Sequence, residues 1–261
     1  MSDFDRNATA RWGQGVARAG RLEIDQGLRT YMLGVYNNMV VGLAITGLVA
    51  LGVNMLAVAS DPSMAVAKMG SIPLTALGAT LYGSPLRYVV MLAPLAFVFF
   101  FSFRINSMSA SSARAMFFAF AATMGLSLSS ILLVYTGASV ARAFFITAAA
   151  FGGLSLYGYT TKRDLSAMGS FLVMGLIGLV IASLVNLFVQ STAFQFGLSI
   201  LSVLIFSGLT AWDTQAIKEM YYENDGYEVA AKKSINGALM LYLDFINIFQ
   251  SLLFLSGDRN G

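Results

Sequence analysis

The chain has no cysteine and no histidine, and each absence removes a class of chemistry. Without cysteine there are no disulfides, thiol nucleophiles or thiolate-bound metals. Without histidine there is no Ser-His-Asp triad, no His-ligated zinc or haem, and no imidazole to respond to pH near neutrality. A pH response in this protein would therefore have to come from a carboxyl group that keeps its proton.

Charge is scarce as well. The 261-residue chain is 57% hydrophobic and only 11% charged, whereas globular domains carry about 25% charged residues. No run of five or more basic residues occurs, which excludes the usual nucleic-acid patch. No glycine-rich phosphate loop follows a strand, which argues against a nucleotide site. The composition predicts one polytopic membrane domain, with membrane lipids as its surroundings and no enzyme active site.

Seven segments are long and apolar enough to predict membrane-spanning helices, which need about 20 residues each. The predicted fold is therefore an all-α polytopic membrane bundle of seven transmembrane helices. Pro94 is expected to kink the short second helix, and a turn at Gln190–Ala193 separates the fifth from the sixth. The linker Ala59–Pro85 is interpreted as a loop with a short surface helix. The segments are Tyr36–Val58, Leu86–Phe103, Arg114–Tyr135, Arg142–Thr161, Met168–Gln190, Phe194–Ile217 and Ser234–Leu255.

The polar ends and the loop charges predict the domain division and the orientation. Residues 1–29 are interpreted as a cytoplasmic leader, residues 30–257 as the transmembrane domain, and residues 258–261 as a short external tail. Twelve lysines and arginines fall on the side of the leader and four on the other. Because basic loops stay in the cytoplasm, the N-terminus is predicted inside a bacterial cytoplasmic membrane and the C-terminus outside.

Two aspartates inside hydrophobic segments are the main candidate functional residues. Asp213 closes a stretch without charge from Leu165 to Trp212, and Asp244 is the only acidic or basic residue of Ser234–Gly257. A carboxylate inside a bilayer costs several kcal/mol unless it is paired, protonated or hydrated. The sixth and seventh helices are antiparallel neighbours, and both aspartates fall in the cytoplasmic half, so contact between them is expected.

Two carboxylates in contact in a dry place cannot both ionise cheaply, so the pair is expected to share a proton and to act as a pH sensor. Once deprotonated, it would offer hard oxygen ligands suited to Ca²⁺ at Asp213 and Asp244. Polar residues on the same faces are candidates to line a cation pathway. They are Asn247 and Ser251 on the seventh helix and Ser202 on the sixth. An inert hydrogen bond between helices is the alternative interpretation of the two acids.

Arg104 is a candidate latch for the ionised pair. It ends the second hydrophobic segment on the cytoplasmic side, near the level expected for Asp213. An equally good interpretation makes it an arginine that extends to the membrane edge. Acid would weaken cation binding to the aspartates but would also break an arginine latch, so residue identities leave the sign of pH gating open.

Three stretches resemble motifs of the Bax inhibitor 1 family, and the resemblance runs from about Tyr31 to Gly257. Ala211–Ile217 is similar to the family's aspartate motif and Leu241–Phe249 to its C-terminal signature. Leu154–Leu165 is similar to the bacterial branch.

This resemblance implies seven helices with the last one central. It also implies a pH-sensitive calcium leak channel with a sensor at Asp213 and Asp244, and an arginine latch that Arg104 fits only approximately. Calcium and protons would then be the ions handled, and no cofactor is expected.

Two other classes also place carboxylates in membrane helices. Intramembrane aspartyl proteases carry a Gly-x-Gly-Asp motif and a later Pro-Ala-Leu, but Leu241–Asp244 has no glycine and no proline follows Pro94. A proton-coupled transporter would use the pair as a proton relay, and the sequence leaves this alternative open. Flux down a gradient without coupling would favour a leak channel, whereas saturable countertransport would favour a carrier.

Overall fold

A computed structural model describes the backbone of residues 3–260 and the side chains of residues 26–101, 103–105 and 107–260. It is an α-helical bundle with one small hairpin, so the predicted all-α membrane fold is confirmed. The side chains of the proposed leader up to residue 25 lie outside this description. The elements are α1 Asp3–Ala57, β1 Ala67–Met69, β2 Ile72–Leu74, α2 Ala76–Gly83, α3 Leu86–Arg104, α4 Ala110–Leu128, α5 Ile131–Val134, α6 Gly137–Thr160, α7 Ser166–Val189, α8 Thr192–Glu219 and α9 Tyr227–Ser256.

Six helical segments of the described chain are long and apolar enough to cross a membrane. They lie within α1, α4 with α5, α6, α7, α8 and α9, and match six of the seven predicted spans. The seventh exists only if α2 and α3 together form one broken span, because their axes differ by 67°. Helix α1 is continuous from Asp3 to Ala57, so its backbone has no break between the predicted leader and the first span.

The second predicted span differs most from expectation. The chain bends by 67° between α2 and α3, at Ser84 and Pro85, and Pro94 lies inside the continuous helix α3. The residue before a proline is driven out of the helical region, and Ser84 is indeed extended, with φ −99° and ψ 169°. The linker before it contains the β1–β2 hairpin and the short helix α2, whose N-terminus Thr75 caps. The predicted loop is thus an ordered cap on one end of the bundle.

The turn between α7 and α8 follows the prediction. Gln190 adopts a left-handed conformation with φ 51° and ends α7. The hydroxyl of Ser191 then accepts a hydrogen bond from the backbone N–H of Phe194, at 3.2 Å, and caps the start of α8. Two local signals therefore interrupt one continuous apolar run and give two antiparallel helices.

Helix α9 is the centre of the bundle, as the family resemblance implied. It packs against α1, α4, α6 and α8 and buries most of its length. Tyr242 anchors it, with its hydroxyl 2.6 Å from the Thr46 hydroxyl on α1 and its ring edge-on to Phe117 and Phe120 of α4. The α9 side chains are thereby held at fixed depth in the bundle.

The helix ends form two opposite faces. The N-terminal face holds the ends of α3, α6 and α8 and the starts of α4, α7 and α9. At this face Glu228 Oε1 accepts a hydrogen bond from the backbone N–H of Ala110 at 2.5 Å. The C-terminal face holds the end of α9, the α5–α6 turn and the hairpin. There the chain after α9 docks by hydrogen bonds, because Thr136 N–H donates to Asp258 O at 3.0 Å and Asn260 N–H to Val134 O at 2.9 Å.

Candidate functional site

Asp213 occupies a stretch of α8 that approaches two neighbouring helices closely. A Cβ atom at Gly158 of α6 would lie 2.1 Å from the carbonyl oxygen of Ala211, and one at Gly169 of α7 would lie 2.2 Å from the Trp212 indole. Only glycine permits these approaches. The result is that the Asp213 side chain is 7% exposed, six residues before the end of α8 at Glu219 and about 9 Å along the axis.

Gln215 fixes the same segment to the N-terminal face. Its Oε1 accepts from the backbone N–H of Leu165 at 2.8 Å, and its Nε2 donates to the carbonyl of Arg163 at 2.8 Å. The loop between α6 and α7 is thus attached to α8 two residues beyond Asp213. Asp164 in this loop accepts hydrogen bonds from Ser166, which lower the pKa of its exposed carboxyl.

Asp244 faces Asp213 from α9. It is 3% exposed, and its carboxyl group lies beside that of Asp213 on α8. Two buried carboxyl groups in contact are expected to share one proton, and we call the pair the dyad. The Asp244 Oδ2 atom is buried and has no hydrogen-bond partner among the described residues. The expected contact between the two aspartates is present in the structure.

The dyad has no cationic neighbour among the described side chains. Neither aspartate forms an ion pair with a described lysine or arginine. The lysine on α8 is Lys218, and its ammonium donates to the carbonyl of Tyr159 at 2.9 Å. The Lys233–Asp225 ion pair, 2.5 Å long, joins the first turns of α9 to the loop before it. A second ionised carboxylate at the dyad would therefore be uncompensated.

Arg104 is not at the dyad in this structure. It is exposed at the end of α3, with its guanidinium carbon 5.9 Å from the centre of the Phe100 ring. No described carboxylate pairs with it. Helix α3 packs on α2 and α4 and not on the helices that carry the aspartates, which explains the separation. The latch remains a prediction.

The three predicted pathway residues come together beside the dyad. Ser251 Oγ donates to Ser202 Oγ at 2.8 Å, joining α9 to α8. Both serines and Asn247 line a cavity of about 310 Å³ between α7, α8 and α9. Asn247 is three residues after Asp244 on α9, less than one helical turn away, so one end of this cavity is close to the dyad. Further polar lining residues, which the sequence analysis did not select, are Ser183, Gln195 and Ser199.

A second polar cluster was missed by sequence reasoning. The Tyr36 hydroxyl of α1 is 2.7 Å from Ser155 Oγ of α6, which is 2.9 Å from Thr214 Oγ1 of α8. The 3-4 spacing of Thr210, Asp213 and Thr214 could have indicated the α8 part. Tyr36 and Ser155 are 119 residues apart, and no local pattern links them.

The donor set at the dyad is small for a resident metal. No group of three or more acidic, histidine or cysteine ligands occurs in the part of the chain that the structure describes. Calcium takes six to eight oxygen ligands. Two carboxylates could therefore contact a passing cation only together with neutral oxygens or water.

Comparison with known proteins agrees with these features. The family model described as "Inhibitor of apoptosis-promoting Bax1" matches residues 28–261. The chain belongs to the Bax inhibitor 1 family. This family membership was predicted from the three motifs, and the match covers both aspartates.

Bacterial members of the Bax inhibitor 1 family align with almost the whole chain. The inner membrane protein YbhL of Escherichia coli K12 is 43% identical over 235 residues, covering 89% of this chain and 93% of its own. A Caulobacter vibrioides protein is 43% identical over 267 residues, covering 99% and 100%. A Rickettsia prowazekii protein is 43% identical over 235 residues, covering 90% and 92%. The chain is accordingly an integral membrane protein of this family.

Proposed function

We propose that this protein is a pH-sensitive leak channel for cations, with calcium as the permeant ion and the Asp213–Asp244 dyad as its proton sensor. The observation that carries the proposal is the contact of two buried carboxyl groups on adjacent helices with no cation beside them. Such a pair changes charge by one unit when it gains or loses a proton. No other described group in the bundle core combines burial, acidity and contact in this way.

The surroundings of the dyad support a role for that change of charge. With one proton shared, a hydrogen bond joins α8 to α9. Without the proton, two negative charges face each other in a site of low dielectric constant, where repulsion is strong and a cation is attracted. The cavity lined by Ser202, Asn247 and Ser251 supplies neutral oxygens along a route toward that site. Hard oxygen ligands of this kind suit calcium.

The proposed location is a bacterial cytoplasmic membrane, with the N-terminal face in the cytoplasm and the C-terminal face outside. Support comes from the loop charges, since twelve lysines and arginines belong to helix ends of the N-terminal face and its leader, and four to the other side. The similar Escherichia coli protein is named an inner membrane protein. If α2 and α3 count as one crossing, the chain crosses the membrane seven times, which places the N-terminus and the C-terminus on opposite sides.

The test is calcium flux into liposomes that contain only this protein, measured over a series of pH values. We expect flux down the calcium gradient with a pH-dependent step, and we expect Asp213→Asn and Asp244→Asn to flatten that step. Asp61→Asn is the matched control, because Asp61 is an exposed carboxylate in the loop after α1. The absence of flux in liposomes of correctly folded protein would refute the channel.

The same liposomes separate a channel from a proton-coupled carrier. A channel passes calcium down its gradient without moving protons in a fixed ratio. A carrier saturates, and a proton gradient alone drives calcium uphill. Uphill calcium movement would replace the leak channel with the transporter, in which the dyad serves as a proton relay.

A further inference from the structure

We propose that the hydroxyl groups of Tyr36, Ser155 and Thr214 form the proton route between the N-terminal face and the Asp213–Asp244 dyad. This inference rests on the proposed function, because it assumes that the dyad exchanges a proton with water. It adds the path and the side of the membrane from which the sensor reads pH.

The dyad needs such a route because its carboxyl groups are buried. Asp213 and Asp244 are 7% and 3% exposed. Neither lines the cavity between α7, α8 and α9 or the groove between α1 and α6. Protons cross dry protein along chains of groups that both donate and accept hydrogen bonds. A hydroxyl group both donates and accepts, whereas an amide N–H only donates and a carbonyl only accepts.

The three hydroxyls form a continuous chain across three helices. Tyr36 contributes from α1, Ser155 from α6 and Thr214 from α8, with oxygen separations of 2.7 and 2.9 Å. Ser155 and Thr214 are buried, at 3% and 0% exposure. Because Thr214 Oγ1 donates to the Thr210 carbonyl, Ser155 donates to Thr214 and Tyr36 donates to Ser155, so the hydroxyl protons are directed inward along the chain.

The outer end of the chain opens toward the N-terminal face. Tyr36 and Ser155 line a groove of about 630 Å³ between α1 and α6, and Arg29 and Tyr159 line the same groove. Arg29 precedes the apolar segment that begins at Tyr36, and an arginine in this position extends to the membrane edge. The groove therefore leads from the level of the lipid headgroups to the first hydroxyl of the chain.

The inner end of the chain is next to the dyad in sequence, because Thr214 directly follows Asp213 on α8. Thr214 Oγ1 donates to the carbonyl of Thr210 at 2.7 Å, and Thr210 Oγ1 donates to the carbonyl of Phe206 at 2.7 Å. The last transfer therefore requires the Thr214 hydroxyl to turn from the Thr210 carbonyl to one bridging water, which passes a proton to the dyad. Each hydroxyl accepts one proton and releases another, so one proton entering at Tyr36 ends as one proton on the dyad.

Few other titratable or charged groups face this route. Helix α7 carries none between Ser166 and Val189, and Arg114 of α4 is exposed. Tyr242 on α9 points to Thr46 on the opposite side of that helix from α8. The titratable or charged groups that surround the route at its N-terminal end are Arg29 and Tyr31 of α1, Tyr159 of α6 and Lys218 of α8.

The experiment follows the infrared carbonyl band of the protonated dyad after a pH jump in proteoliposomes. Asp213→Asn and Asp244→Asn identify the band. Tyr36→Phe, Ser155→Ala and Thr214→Val each remove one hydroxyl, and we expect each to slow proton exchange by roughly tenfold or more while the pH midpoint of the band stays the same. A pH jump on the side of the N-terminal face should change the carbonyl band quickly, and a pH jump on the side of the C-terminal face should change it slowly.

Tyr242→Phe is the matched control, because it removes a buried tyrosine hydroxyl on the dyad's own helix but outside the chain. Its exchange rate should equal that of the unaltered protein. Unchanged rates in Tyr36→Phe and Ser155→Ala, with thermal stability retained, would overturn the relay. Fast exchange from the C-terminal face would overturn it too.

The infrared measurement does not depend on ion flux, so the two proposals can fail separately. Slowed exchange in the hydroxyl variants without any calcium flux supports the relay and refutes the channel. Normal flux with unchanged exchange rates refutes the relay and leaves the channel supported.

Discussion

At the scale of single residues, the dyad is a pair of buried carboxyl groups in a protein without histidine. Asp213 and Asp244 are held in contact inside the bundle, one on α8 and one on α9. Under the proposed function, loss of a shared proton doubles the charge at a site that has no ion-pair partner among the described residues. Burial and proximity are then the reason that two ordinary carboxyl groups respond to pH.

The first prediction concerns the dyad as a unit. Replacing either aspartate by asparagine keeps its shape but removes the second negative charge, so the pH step of calcium flux should flatten. The double variant Asp213→Asn with Asp244→Asn should resemble the single variants, because groups in one network do not contribute additively. The measurement is liposome flux against pH, and an unchanged pH profile in either single variant would locate the sensor elsewhere.

Arg104 gives the second prediction. In this structure the Arg104 guanidinium carbon lies 5.9 Å from the centre of the Phe100 ring, so a latch requires Arg104 to move to the dyad when the pair ionises. Arg104→Ala should then raise calcium leak at neutral to mildly alkaline pH, where the pair is ionised, and change it little in acid. Arg104→Lys should restore closure only in part, because an ammonium lacks the planar fork of a guanidinium.

Arg87→Ala is the control for the second prediction, since Arg87 is another exposed arginine of α3, at its opposite end. An equal change of leak at every pH in Arg104→Ala would make Arg104 a membrane-edge residue and remove the latch.

At the scale of elements, close helix contacts hold the dyad at its depth. Gly158 allows α6 to touch the α8 backbone at Ala211, two residues before Asp213. Gly237 of α9 similarly packs against Ile217 of α8, where a Cβ would be 2.9 Å from the side chain. Small residues let helices approach in a membrane, where no hydrophobic force joins them.

The third prediction tests this contact. Gly158→Ala places a methyl group 2.1 Å from the Ala211 carbonyl oxygen, so α6 and α8 must separate. We expect a loss of about 1–3 kcal/mol in the free energy of unfolding, measured in detergent. Gly153→Ala on the same helix is the control, because nothing lies within 4 Å of its Cβ, and it should be neutral or slightly stabilising.

At the scale of the whole molecule, the two faces of the bundle differ in charge and in access to the dyad. The N-terminal face carries most of the basic residues, the α8–α9 loop and the groove that leads to Tyr36. At the C-terminal face, residues 258–260 bond to the α5–α6 turn, and the start of α8 at Gln195 lines the cavity between α7, α8 and α9. The cavity between α7, α8 and α9 approaches the dyad from the Gln195 side.

The fourth prediction concerns the orientation of these faces. The chain has no cysteine, so a single cysteine introduced by Glu223→Cys or by Ser63→Cys can be labelled without background. Both positions are exposed, one in the loop after α8 and one in the loop after α1. A membrane-impermeant maleimide added to intact bacterial cells without an outer-membrane barrier should label the Ser63 site only. Labelling of both sites, or of Glu223 alone, would contradict a cytoplasmic N-terminal face.

Composition and the pattern of apolar runs were enough to predict the class of fold, most helix positions and the contact between the two aspartates. Low charge and long apolar runs leave only a membrane bundle, and an aspartate in such a run is costly enough to stand out. The sequence also identified the turn after Gln190, because polar residues interrupt the run there. It could not place the bend before α3, which arises where Pro85 and the docked hairpin combine.

Apart from the aspartate pair, the contacts between side chains of different helices could not be predicted from the sequence and are known only from the tertiary structure. Tyr36, Ser155 and Thr214 come from three helices far apart in the chain, and a period of 3.6 residues gives a helix face but not its partner. For the same reason the sequence allowed Arg104 near the dyad, whereas α3 packs on α4 and holds it away. Contacts between distant segments depend on how every helix packs at once, and α9 takes the centre because four other helices bury it.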